Sequence, residues 1–204
     1  DLHSFPTRRS SDLNAADLSR RAADAVEEIY EGLSGEWCQV VATMRADAGD
    51  TAGAARQFIE AGRRALADGA PESAVTLLER ARQLGSGHLD GATLADILEM
   101  LLNAYAEWGR LDRAFELADL FGDLDTVLTT TQRATLHARL AWVCDLAGRW
   151  SDGVAALDTA RMLLGPDPAD EHAALIDSIA AELALNAPAA FRSEERRVGK
   201  ECRS

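Results

Sequence analysis

The side chains that could do chemistry in this 204-residue chain are few and widely spaced. His137 and Cys144 lie seven residues apart, so on a helix they share a face and could supply two metal ligands. Zinc needs a third and usually a fourth ligand, and neither lies near them in sequence. A packed thiol beside a boundary imidazole is the plainer reading. His88 falls in a loop and His172 near a helix start, where both are expected to be solvated. Carboxylates are plentiful, as in Glu27, Glu28 and Glu31 or Asp119, Asp123 and Asp125. Acid–base catalysis requires a cleft that shifts the pKa of one partner, whereas runs on helix faces and turns are ordinarily solvated. The chain has no GxxxxGK[ST], HExxH or GxSxG pattern. Only Val198-Gly199-Lys200 faintly echoes the end of a phosphate loop.

What remains are groups suited to binding. Trp108 and Trp150 flank the glycines at 109 and 148, where they could pack hairpin against hairpin or line a groove. Trp37 and Trp142 sit on apolar stripes and are expected in the core. Arg63 and Arg64, with Arg80 and Arg82, are the one local concentration of positive charge. They could meet an acidic partner or simply form a solvated face. Trp108, Trp150, Arg63 and Arg64 are therefore the candidate partner-binding residues. No catalytic, cofactor-binding or metal-binding residue is assigned.

These side chains need helices to position them. Leu18, Ala22, Ile29 and Leu33 fall on one face at helical spacing, as do Trp37, Val41, Met44 and Ala48. The same holds for Leu94, Ile97, Leu101, Tyr105 and Trp108, for Leu136, Leu140, Val143 and Ala147, and for Ile176, Ile179 and Leu183. Alternating β-type runs are missing. Cap and turn residues separate the stripes. Gly49-Asp50 ends one helix and starts the next, Pro71 suits a first helical turn, and Thr129 with Gln132 has capping-box spacing. Gly165-Pro166 closes a helix and Asp167-Pro168 opens the last.

A repeat underlies these helices. Five, nine and twelve residues after Gly49 come Ala54, Phe58 and Ala61. Gly69 is followed in the same way by Ala74, Leu78 and Ala81, Gly109 by Ala114, Ala118 and Phe121, and Gly148 by Gly153, Leu157 and Ala160. Glycine lets the chain reverse, a small residue five later lets the second helix approach closely, and the next two positions share its face. The intervals of 20, 40 and 39 residues suit stacked hairpins, with one helix shared early on.

The two ends read differently. Arg192 to Ser204, RSEERRVGKECRS, can be back-translated into a string whose reverse complement encodes DLHSFPTRRSSDL, the first 13 residues. That string resembles a common sequencing-library adapter. Residues 1–13 and 192–204 are therefore expected to be non-native, leaving residues 14–191 as the natural chain, cut at both ends. Setting the ends aside removes seven of 21 basic and five of 34 acidic residues, so the net charge moves from −13 to −15. Such a surface repels phosphates, and nucleic-acid contact by this fragment is not expected. The remaining cysteines, Cys38 and Cys144, read as buried thiols of a reducing compartment. No apolar run approaches the roughly 20 residues that cross a bilayer, and a cytoplasmic location is expected.

The Gly-x4-Ala-x3-[aromatic or Leu]-x2-Ala pattern resembles tetratricopeptide repeats, although the Trp-x2-Leu-Gly opening and the terminal Pro are degraded. Only Tyr105, four before Gly109, matches the consensus aromatic. The resemblance implies an all-α fold, a right-handed superhelical stack of helix hairpins. Residues 37–81, above all AGDTAGAARQFIEAGRRALADGAPESA and LLERA, also resemble the helical-repeat segment of the large ATP-binding LuxR-type transcriptional regulators of GC-rich actinobacteria. That resemblance implies a sensor and assembly scaffold binding a protein partner or small effector without catalysis. ATP would be bound only by a neighbouring ATPase domain in the same polypeptide. A stand-alone adaptor, or the repeat region of a cyclase- or kinase-linked signalling ATPase, are the alternatives.

Overall fold

A computed structural model describes residues 8–33, 36–166 and 168–188, apart from the side chains of residues 8–14 and 170. The described residues are all-α. The helices are α1 (Arg8–Ile29), α2 (Trp37–Asp47), α3 (Thr51–Ala67), α4 (Pro71–Leu84), α5 (Gly91–Glu107), α6 (Leu111–Ala118), α7 (Thr130–Leu146), α8 (Trp150–Leu164) and α9 (Asp170–Asn186). A 3-10 segment, Asp119–Leu124, prolongs α6. The chain forms two compact units, Asp1–Ala104 and Tyr105–Ser204, with the boundary inside α5. Helix α1 starts upstream of Asn14, and the expected limit at Phe191 lies outside the described residues.

The repeat glycines build one turn four times. Gly49, Gly69, Gly109 and Gly148 have φ of 79°, 70°, 75° and 67°, in the left-handed region that glycine enters without Cβ strain. At each turn the glycine N–H donates to a carbonyl three residues back. The next N–H donates five residues back: Asp50 to Arg45, Ala70 to Ala65, Arg110 to Tyr105 and Arg149 to Cys144, at 2.8–2.9 Å. This pairing satisfies the last carbonyls of a helix while reversing the chain, so each turn yields a tight hairpin. The small residues five positions on, Ala54, Ala74, Ala114 and Gly153, are all buried. Ala118, the nine-position residue of the third repeat, is only half-buried because α6 ends there and gives way to the 3-10 segment.

In the first unit α1 packs on α2, α2 on α3 and α3 on α4. Helix α3 is the shared one, so it buries a broad face that includes Ala54, Ala55, Phe58, Ile59, Ala61 and Gly62. A Cβ at Gly62 would stand 2.7 Å from Cγ of Leu78, so glycine is what lets α4 approach. In the second unit α7, α8 and α9 enclose Ala134, Ala138, Ala141, Leu157, Ala160, Ile176 and Ile179. A Cβ at Gly153 would lie 2.5 Å from Cδ1 of Leu183.

The capping expectations hold at three helices. The Asp50 carboxylate accepts from the Gly53 N–H at 2.8 Å, Pro71 occupies the first turn of α4, and Thr129 with Gln132 closes a reciprocal capping box. Two expectations need correcting. The stripe Leu18, Ala22, Ile29, Leu33 is not the buried face of α1: Leu18 is 64% and Ile29 72% exposed, while Ala23 is buried. Helix α1 packs mainly on α2, so a narrow stripe suffices. Leu33 is buried, but it lies past the helix end in a left-handed conformation at φ 47°. The last helix starts at Asp170, after an extended Ala169 without a side-chain cap, and Asp167 lies outside the described residues.

Candidate functional site

The candidate residues have partners of their own. Arg63 pairs with Glu60 at 2.6 Å. Arg64 pairs with the same carboxylate at 2.9 Å and also donates to the carbonyls of Leu33 and Gly32. Arg82 pairs with Glu79. Glu60 and Glu79 thus offset part of the cationic concentration of Arg63, Arg64, Arg80 and Arg82 within the first unit. Trp108 and Trp150 are half-buried and lie beside their turns. The Arg110 guanidinium stands 5.3 Å from the Trp108 ring centre, and the Trp150 ring lies against Gly148. The indole nitrogen of Trp150 is buried without a hydrogen-bond partner. Trp37 is half-buried and stacks on Tyr30 with ring centres 4.4 Å apart, and Trp142 packs against the core of the second unit.

The titratable groups are placed as structural members. Arg45 on α2 holds Glu27 and Asp24 of α1 and Asp50 at the start of α3, and the Gln57 amide also donates to Glu27. This network ties three helices together. Glu28 and Glu31 are exposed, as are Asp119, Asp123 and Asp125.

Cys38 and Cys144 are free and buried. Burial pushes the Cys38 thiol up, and it pushes Cys144 to about 11. Both are therefore held as neutral thiols. His137 packs edge-on against Phe121, with ring centres 5.7 Å apart. Burial, then the charge of Arg133, holds its pKa below the usual histidine value. His88 is exposed, and His172 lies 3.6 Å from Glu171. Among the described residues no three His, Cys, Asp or Glu groups gather as metal ligands. None of the described helices is long and apolar enough to cross a membrane.

A recess that sequence reasoning missed lies in the first unit. The start of α2, the second half of α3 and the first turns of α4 meet around a groove of about 360 Å³. Ala61, Ala65, Ala67, Ala70 and Leu77 provide apolar lining, and Glu36, Gln39, Arg64, Asp68 and Ser73 provide the polar groups. A second depression of about 330 Å³ shares Glu36 and Gln39 and continues along Val40, Thr43 and Met44. Of the sequence candidates only Arg64 reaches this groove. Arg63 borders a separate surface recess with Asp96, Glu99, Met100 and Asn103. The two tryptophans belong to the second unit. The chain matches no protein-family model, no curated protein and no solved structure.

Proposed function

We propose that this chain is a helical-repeat scaffold that binds a partner without catalysing a reaction. Within the parent polypeptide it would be the sensor and assembly arm of an ATP-dependent LuxR-type regulator. The observation that carries the scaffold reading is the groove on α2, α3 and α4, set in a stack whose turns repeat one geometry. Repeat architectures present extended binding surfaces of this kind, and their rigidity lowers the ordering cost of binding. The placement in a regulator rests on the likeness of residues 37–81 to that family's repeat segment. An ATPase domain of the same chain, a protein partner or a small effector are the binding partners this reading supplies.

The test is the sequence of the flanking gene. A phosphate-binding loop upstream and a helix-turn-helix domain downstream support the regulator. A cyclase or kinase domain in their place overturns that placement, and a short reading frame with neither makes the chain a stand-alone adaptor. The purified chain is expected to show no ATP turnover and no promoter retention at physiological salt. Stoichiometric turnover or specific promoter binding would overturn the scaffold reading itself.

A further inference from the structure

The groove of the first unit has an uneven charge balance. Three charged side chains line it: Glu36, Arg64 and Asp68. The donors of Arg64 are engaged, Nε by Glu60 and the two terminal nitrogens by the Leu33 and Gly32 carbonyls. Its charge still counts, since Glu60 is shared with Arg63. Glu36 and Asp68 are exposed and have no ion pair among the described residues. With Glu36 and Asp68 set against Arg64, the lining still carries a net negative charge above a floor of small apolar side chains. Gln39 and Ser73 add neutral hydrogen-bonding groups at the edge. The adjoining depression shares Glu36 and Gln39 and is lined by Val40, Thr43 and Met44 of α2.

We propose that this groove docks a basic segment of a partner protein, an extended stretch carrying Arg or Lys beside small apolar side chains. The inference rests on the scaffold reading and adds the chemistry of the partner. Small apolar residues of the segment would cover Ala61, Ala65 and Leu77, while its cations reach Glu36 and Asp68 at the rim. Opposite charges across a rim steer encounter and select the partner more than they raise affinity. Two neighbouring depressions along α2 offer more than one position to an extended chain segment. The strongly acidic character of the chain, net −13, reinforces attraction of a cationic partner.

The experiment measures binding of three fluorescent ten-residue peptides to the full chain by anisotropy at physiological salt. All three alternate Ala and Leu with one polar type, which is Arg, Gln or Glu. The Arg peptide is expected to bind, and the Glu peptide to bind at least about fivefold more weakly. The double variant Glu36→Gln with Asp68→Asn is expected to weaken the Arg peptide by about fivefold, as two exposed pairs are lost. Asp119→Asn with Asp123→Asn removes the same charge elsewhere and should leave the affinity unchanged. Ala65→Trp, which fills the floor, should abolish binding. Peptide-induced amide-exchange protection of residues 36–44 and 61–77 in the unmodified chain locates the site even if that variant fails to fold. Equal loss from the two double variants, or protection elsewhere, would overturn the proposal. Groove binding by the Gln or Glu peptide equal to that of the Arg peptide would sink the basic partner and leave the scaffold reading intact. No binding by any peptide would also sink it, while the scaffold reading would still stand or fall on ATP turnover and the flanking gene.

Discussion

Arg64 reaches back 31 residues to donate a hydrogen bond to the carbonyl oxygen of Leu33, at 2.5 Å. It donates to Gly32 as well, at 3.0 Å, while Glu60 fixes its other edge. Leu33 is the non-glycine residue with positive φ among the described residues, at 47°. A side chain in that region costs about 1 kcal/mol or more, so something must hold it there. Burial of its own side chain and the Arg64 guanidinium do so together.

Replacing Arg64→Met should therefore loosen the link between α1 and α2 rather than the core. The expected cost is about 1–2 kcal/mol, in the range of hydrogen bonds from a charged donor with partial exposure. Urea unfolding reads the loss, and amide exchange should accelerate at residues 30–33 before it does in α3 or α4. Uniform acceleration throughout the unit would show that the latch is not local.

Two glycines should fail for opposite reasons. Gly62→Ala drives a methyl into Leu78 and should cost about 1–3 kcal/mol by overpacking. Gly69→Ala meets nothing within 4 Å but sits at φ 70°, so its cost of about 1 kcal/mol is purely conformational. Truncating Leu78→Ala makes room for the first substitution and should leave the second unaffected. A double-mutant cycle by urea unfolding separates them, and equal coupling of Leu78 to both glycines would contradict the packing.

The caps on α3 and α7 differ in reach. Thr129→Ala removes a capping box that touches only its own helix, and about 1 kcal/mol should be lost. Asp50→Ala removes the cap of α3 and also an ion pair to Arg45, which holds α1. Its cost should be larger, about 1–2 kcal/mol. Thermal unfolding of the two variants side by side gives the order.

The pH dependence carries the mark of His137. Its folded pKa is depressed below 6.5, first by burial and then by Arg133, so the unfolded chain takes up the proton more readily. The stabilising contribution is complete above the unfolded pKa and is lost as pH falls below 6.5 toward the folded value. His137→Gln should remove that part of the decline while leaving the rest. Chemical unfolding of both chains at pH 7.5 and 5.0 tests it, and an unchanged difference between the two pH values would refute it. The thiols act at the other end of the scale. The folded pKa of Cys144, about 11, exceeds the ordinary 9.0, so its contribution is complete below about 9 and lost as pH rises toward 11.

How legible was this molecule in its residues? The turns were plain, because a left-handed glycine is a local requirement and Gly49, Gly69, Gly109 and Gly148 each announce it. Asp50, Pro71 and Thr129 were legible for the same reason. The exposure of Leu18 and Ile29 was not, since a helical stripe says nothing of whether a neighbour covers it. Although Glu60, one helical turn before them, was within reach by spacing alone, Arg63 and Arg64 looked like a cationic patch because the Gly32-Leu33 loop becomes a partner of Arg64 only on folding. The groove was invisible for the same reason: Glu36, Arg64 and Ser73 are distant in sequence and meet only when α2, α3 and α4 pack.

The repeated turn also bears on how quickly the chain reaches its folded state. Each reversal closes through hydrogen bonds spanning three and five residues, so a hairpin forms without waiting for a distant segment. Topologies built from near-neighbour contacts fold in the microsecond-to-millisecond range, and folding of repeat arrays can nucleate at any of several hairpins and spread. A damaged turn should therefore redirect the route rather than block it. Refolding rates should change little when any single one of the four glycines is replaced, even where stability falls.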